Sequence, residues 1–167
     1  MPSPGRAWPP AGLHSSYDPV PDGRESVSDS GPLSPFLKKM EMTRPEHSDP
    51  TLRGRRYAIP FDEVWNRVIC LIVNGGSLWT LINADDQRGI VRAKVRTRVL
   101  GFVDDVRIRV WLDSDAQTRV DLMSRSRNGC SDLGANARRI RRFLRDLDGV
   151  LNAPPAAILP PEGGLLQ

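Results

Sequence analysis

Residues 89–99, GIVRAKVRTRV, alternate in character without a break. Val91, Ala93, Val95, Thr97 and Val99 fall on one side, and Arg92, Lys94, Arg96 and Arg98 on the other. A period of two is the repeat of a β-strand whose two faces meet different surroundings, and it excludes a helix here. Two later runs keep the same beat. Residues 106–113 set Val106, Ile108, Val110 and Leu112 against Arg107, Arg109 and Trp111. Residues 118–127 set Val120, Leu122, Ser124 and Ser126 against Arg119, Asp121, Met123, Arg125 and Arg127. A fourth strand, LWTLINA at 78–84, precedes them, and 85–89 reads as the hairpin connection.

A different period flanks the strands. Phe61, Val64, Trp65, Val68 and Ile72 recur at helical spacing, with Asp62 and Glu63 where carboxylates favour the helix dipole. Asn74-Gly75-Gly76 ends that helix. A second helix is expected from about Ser131-Asp132, with the stripe Leu133, Ala137, Ile140, Phe143, Leu144, Leu147 and Leu151. Arg138, Arg139, Arg141, Arg142 and Arg145 cover the rest of it. Consecutive strands with short links favour an antiparallel meander. The expected fold is therefore an α+β two-layer sandwich: a four-stranded antiparallel sheet with two helices on one face, in the order αββββα.

Proline marks the domain limits. Of 15 prolines, ten lie in residues 1–50, four in 152–167, and only Pro60 between. Residues 1–54 read as a disordered Pro/Ser-rich leader, 55–151 as the domain, and 152–167 as a flexible tail. One island in the leader, GPLSPFLKKMEM at 31–42, places Leu33, Phe36, Leu37 and Met40 on one helical face. It docks in a partner's groove, packs on its own domain, or does neither. Two cysteines are too few for a disulfide framework. A single bridge or two buried free thiols remain open, the second being favoured in a reducing compartment. No stretch approaches 18 apolar residues and the first 20 lack a signal-peptide core, so no membrane span and a cytoplasmic location are expected.

The charge excess belongs to the domain: residues 56–151 carry 17 Lys/Arg, 16 of them Arg, against 12 Asp/Glu. The expected register gathers Arg92, Lys94, Arg96, Arg98, Arg107, Arg109, Arg119, Arg125 and Arg127 on the outward sheet face, with Trp111 and Met123. Only Asp121 obviously opposes them there. Directly opposed like charges destabilise a sheet. Either the arginine heads stay solvated above their stems, or the face engages an anionic macromolecule or an acidic protein. Trp111 there would be available to stack a base.

The most motif-like stretch is SRSRNGCSDLGANARRI, residues 124–140, where a strand end passes through a turn into a helix. Ser131 or Asp132 is suited to cap that helix. The helix start, flanked by Arg127 and Arg139, would suit an anion, unless Asp132 already fills the place. The acidic pair Asp104-Asp105 is positioned to pair with Arg127 or Arg139. Together with GFVDDV at 101–106, this stretch resembles the bacterial and plastid family catalogued as domain of unknown function 1499. The match runs through Ser124, Ser126, Arg127, Gly129, Ser131, Asp132, Gly134, Asn136 and Arg139. The resemblance covers about residues 55–150; it implies a small α+β domain and supplies no activity. Arg107 replaces the family's usual acidic residue and Met123 its usual Arg. Many family members carry an N-terminal anchor, which is not visible here. Asp104, Asp105 and the motif residues are assigned structural roles: Gly129 and Gly134 permit the turn, while Asn136 and Arg139 tie the helix to it.

Several chemistries fall away. Both histidines, His14 and His47, lie in the leader, so no Ser-His or Cys-His pair forms within 55–151. Zinc-ligand spacing, a phosphate loop and a dinucleotide fingerprint are missing, so no metal, cofactor or catalytic residue is assigned. A binding or scaffold domain ranks first, docking through 31–42 second, and a carboxylate enzyme using Asp104, Asp105 and Asp132 last.

Overall fold

The alternating runs form the centre of an antiparallel sheet in the computed structural model, which describes residues 40–97, 101–127 and 134–159. The elements are β1 (Met40–Met42), β2 (Arg55–Tyr57), α1 (Phe61–Val73), β3 (Trp79–Asp85), β4 (Ile90–Arg96), β5 (Val103–Leu112), β6 (Thr118–Ser126) and α2 (Ala135–Val150). The strand order is β1-β6-β5-β4-β3, and β2 also pairs with β6. β5 lies central, in register with β4 from Arg96↔Val103 to Ile90↔Arg109 and with β6 from Asp104↔Ser126 to Leu112↔Thr118.

One face of this sheet is the core. Val91, Ala93 and Val95 of β4, Val106, Ile108 and Val110 of β5, and Val120 and Leu122 of β6 are all buried. Against them lie Val64, Val68 and Ile72 of α1 and Ile140, Phe143, Leu144 and Leu147 of α2, in a single cluster. Each such side chain contributes about 1.5–3 kcal/mol by leaving water. The tight β3–β4 turn depends on Gly89: its φ is +63°, and a Cβ there would stand 1.9 Å from the Val110 carbonyl oxygen.

The α+β class holds, with the following differences. The sheet has six strands rather than four, and the element order is ββαββββα rather than αββββα. The two additional strands lie end to end on one edge of β6: Met40–Met42 opposite Arg125–Met123, and Arg55–Tyr57 opposite Val120–Thr118. β1 lies within the stretch read as leader. Its Met40 was placed on a helical face; the rest of that face, residues 31–39, lies outside the described residues. Three-residue strands are too short to display a period of two, which is why neither was visible. Between them, Thr43 takes over the sheet's bonding. The Thr43 amide donates to the Leu122 carbonyl at 2.8 Å, and its hydroxyl accepts from the Leu122 amide at 3.0 Å. Beyond α2, Ile158 bridges to Tyr57, so part of the stretch read as tail lies against the domain.

Two local readings also change. α2 begins at Ala135 rather than near Ser131, behind Gly134, whose φ of 75° places it in the left-handed region. Cys70, expected to be buried, is unpaired and exposed, because it sits off the Val64–Val68–Ile72 stripe of α1. Cys130 lies outside the described residues.

Candidate functional site

No described helix covers the second face of the sheet: α1 and α2 both pack into the core cluster on the first. The rows across this open face follow from the strand register. Arg92 stands directly opposite Arg107, which stands opposite Met123 and then Met42. Lys94 stands opposite Asp105, which stands opposite Arg125. Arg109 lies between Ile90 and Asp121, and Trp111 stands opposite Arg119, which faces Arg56. Among the described residues, Arg92, Lys94, Arg96, Arg107 and Arg125 have neither an ion pair nor a side-chain hydrogen bond.

The other cations of this face are engaged. The Arg127 guanidinium forks onto Asp105, Nε to Oδ2 at 2.8 Å and Nη2 to Oδ1 at 2.6 Å, and this pairing raises the Arg127 pKa. Asp105, and Asp85 in the row of Asp85, Ile90, Arg109 and Asp121, thus join Asp121 as acids on the face, which corrects the count of one. The sequence suggested the pairing but not the face. Arg109 and Arg119 hold their guanidiniums 5.4 and 5.2 Å from the centre of the Trp111 ring. Its indole N–H donates to Asp121 at 3.0 Å. Arg119 is itself buried. Trp111 is therefore occupied by its own neighbours, not presented as a stacking platform. Arg98 lies outside the described residues.

The motif residues gather on the opposite face. A strand sends adjacent side chains to opposite sides. Asp105 therefore reaches the open face while Asp104, 2% exposed, points into the interior. There Arg139 of α2 donates from Nη2 to Asp104 Oδ2 at 2.5 Å. Its Nη1 donates to Ser124 Oγ at 2.6 Å and Asn136 Oδ1 at 2.7 Å. The Ser124 hydroxyl donates to Asn136 Oδ1 at 2.6 Å. Asn136 and Arg139 thus tie α2 to strands β5 and β6; the turn before the helix, to which the sequence reading tied them, lies outside the described residues. Asp104 Oδ1 is buried without a hydrogen-bond partner among the described residues.

This arrangement locks a helix onto a sheet. It does not bring Asp104 and Asp105 together: they lie on opposite sides of β5, and each is clasped by its own arginine. Ser126 stands opposite Asp104 in the ladder. Gly129, Ser131 and Asp132 lie outside the described residues, so the expected cap falls there too. Among the described residues no three His, Cys, Asp or Glu side chains are grouped to hold a metal ion. No described helix is long and apolar enough to cross a membrane.

A second concentration of cations escaped the sequence reading. Arginines of α2, placed there only on the part of the helix outside its apolar stripe, line a cleft between α1 and α2. Only the placement of the two helices side by side brings them together with Arg67 of α1.

A family model described as Protein of unknown function (DUF1499) matches residues 38–147. The match begins ahead of β1 and runs to Leu147 in α2, so it takes in the whole sheet and the Asp104–Arg139 cluster. No curated protein matches the chain.

Proposed function

The chain belongs to the family Protein of unknown function (DUF1499), and for this member we propose a binding domain that engages a phosphate polymer through the open face of its sheet. The observation that carries the reading is the set of five cations, Arg92, Lys94, Arg96, Arg107 and Arg125, that have no partner among the described residues and stand on a face no described helix covers. Arg92 and Arg107 stand directly opposed, a pairing that disfavours the sheet unless an anion lies between.

Spacing favours a polymer of phosphates. Alternate residues on one strand are about 6.8 Å apart, and neighbouring strands about 4.8 Å. The array therefore offers a two-dimensional lattice of donors to a repeating anion. Guanidinium forks match phosphate oxygens in planar, two-point bonds. The engaged Trp111 ring leaves contact to the backbone alone, so binding should be independent of base sequence.

Titration of the full chain with single-stranded RNA and DNA tests this. Affinity should fall with salt at a log–log slope of about −0.7 per phosphate neutralised. The double reversal Arg92→Glu with Arg125→Glu should weaken binding at least about tenfold, a loss of about 1.4 kcal/mol. Absence of binding at ~50 mM salt, where counterion release is strongest, overturns the reading. So does affinity unchanged by the double reversal. Binding confined to anionic vesicles would reassign the face to a membrane surface.

A further inference from the structure

The cleft between the helices has a volume of about 1020 Å³. Its floor is apolar: Leu71, Leu78, Trp79, Val95 and Phe143. Trp79 packs on Phe143 with ring centres 5.7 Å apart. Gly75 admits the indole, since a Cβ there would stand 2.6 Å from Trp79 Cδ1. The rim is cationic. Arg67 enters from α1, and Arg138, Arg142 and Arg145 from α2. Asp146 is the acid among the described lining residues, and it already lies 3.7 Å from Arg142. Arg67 and Arg145 have no ion pair or hydrogen bond among the described residues. Arg139 also borders the cleft, held in place by Asp104.

We infer that this cleft binds a single-chain anionic amphiphile, with its acyl chain on the apolar floor and its carboxylate or phosphate head between the arginines of the two helices. The combination sets this site apart from the sheet face. A phosphate polymer has no use for an apolar floor, whereas an acyl chain does. The lining residues of α2 run from Ala135 to Val150, roughly 22 Å of helix at 1.5 Å per residue, which gives a long chain room to lie extended. The volume is that of a small-molecule site, not of a groove for a partner helix about 10–12 Å across. Long arginine stems can cover apolar walls while their heads stay in water, and an anionic head accepts two-point bonds from guanidiniums.

Quenching of tryptophan fluorescence by a brominated long-chain fatty acid, below its micelle concentration and with the full chain, tests the site. Saturable quenching at one equivalent is expected, and Trp79→Phe should remove most of it. The methyl ester of the same acid should bind at least about tenfold more weakly. An unbrominated lysophosphatidate of equal length should compete, showing that the head is read as an anion and not as a carboxylate alone. Arg67→Gln with Arg145→Gln changes two side chains that have no partner among the described residues. It should preserve the melting temperature and weaken the acid at least about tenfold. The sheet-face reversal Arg92→Glu with Arg125→Glu should leave quenching unchanged, so this result and that of the polymer titration are separable. The inference is overturned if quenching is not saturable or survives Trp79→Phe. It is equally overturned if the ester binds as well as the acid, if lysophosphatidate fails to compete, or if the sheet-face reversal abolishes quenching while the cleft variant does not.

Discussion

The two faces of the sheet use the same residue types to opposite ends. On the inner face a carboxylate and a guanidinium, Asp104 and Arg139, are almost fully enclosed and bonded further to Ser124 and Asn136. On the outer face Asp105 and Arg127 make a pair of nearly equal length, with each side chain more than two-fifths exposed. Burial strips water from the first pair, so each member depends on the other. Solvent screens the second, which can be lost or redirected at little cost. The difference teaches where to look for binding. Charges committed to the interior hold the helix to the sheet, while the five outer-face cations have no partner among the described residues.

The sharpest way to break this comparison is to remove one member of each pair. Arg139→Ala leaves Asp104 buried without its counter-charge and should destabilise the domain by about 3–5 kcal/mol. Arg127→Ala should leave the melting temperature within experimental scatter. Equal effects in thermal denaturation would contradict the division between the faces. A second contrast uses neighbours in β5. Ile108→Ala empties a fully buried site and should lower stability by about 2–5 kcal/mol in chemical denaturation. Arg107→Gln removes the like charge opposite Arg92 and should raise stability by up to ~1 kcal/mol.

Protonation sharpens the picture at smaller amplitude. The Thr51 hydroxyl and then the Arg141 guanidinium hold the Asp49 carboxyl below its ordinary 3.8. Burial works to raise Asp113, but Arg56 and the amides of Gln117 and Asp115 outweigh it, so its pKa is lowered as well. A carboxyl that binds its proton less readily when folded stabilises the fold above its unfolded value. That contribution is lost as the pH falls below about 3.8 toward the folded value. Tyr57 has the opposite sign. Burial and its 2.6 Å bond to Asp148 push its pKa above the ordinary 10.0, so stability should decline as the pH rises beyond that value. Urea midpoints across the acid and alkaline ranges should show both limbs. An unchanged midpoint below pH 3.8 would contradict the roles of Asp49 and Asp113.

The centre of the fold was legible because period-two runs such as 91–96 make the register of β4 to β6 almost unavoidable. β1 and β2 were not, since three residues carry no period and their pairing is decided by where Thr43 and Tyr57 meet β6. The outer-face cations could be assigned from alternation alone. That Trp111 is occupied could not, because it depends on Arg109 and Arg119 converging from two strands. Asp104 and Asp105 look like a pair in the sequence and are separated by the strand they share. The arginine-lined cleft has no linear signature, since Arg67 and Arg145 lie on different helices.

The central claim is that the outer face binds and the inner face holds. Arginine side-chain NMR of the full chain, recorded with and without a single-stranded phosphate polymer at low salt, tests it most directly. The account predicts that the Nε–Hε signals of Arg92, Arg96, Arg107 and Arg125 shift together while that of Arg139 stays in place. Shifts confined to Arg67 and the α2 arginines, or a set that includes Arg139 and spares Arg92 and Arg125, would contradict it.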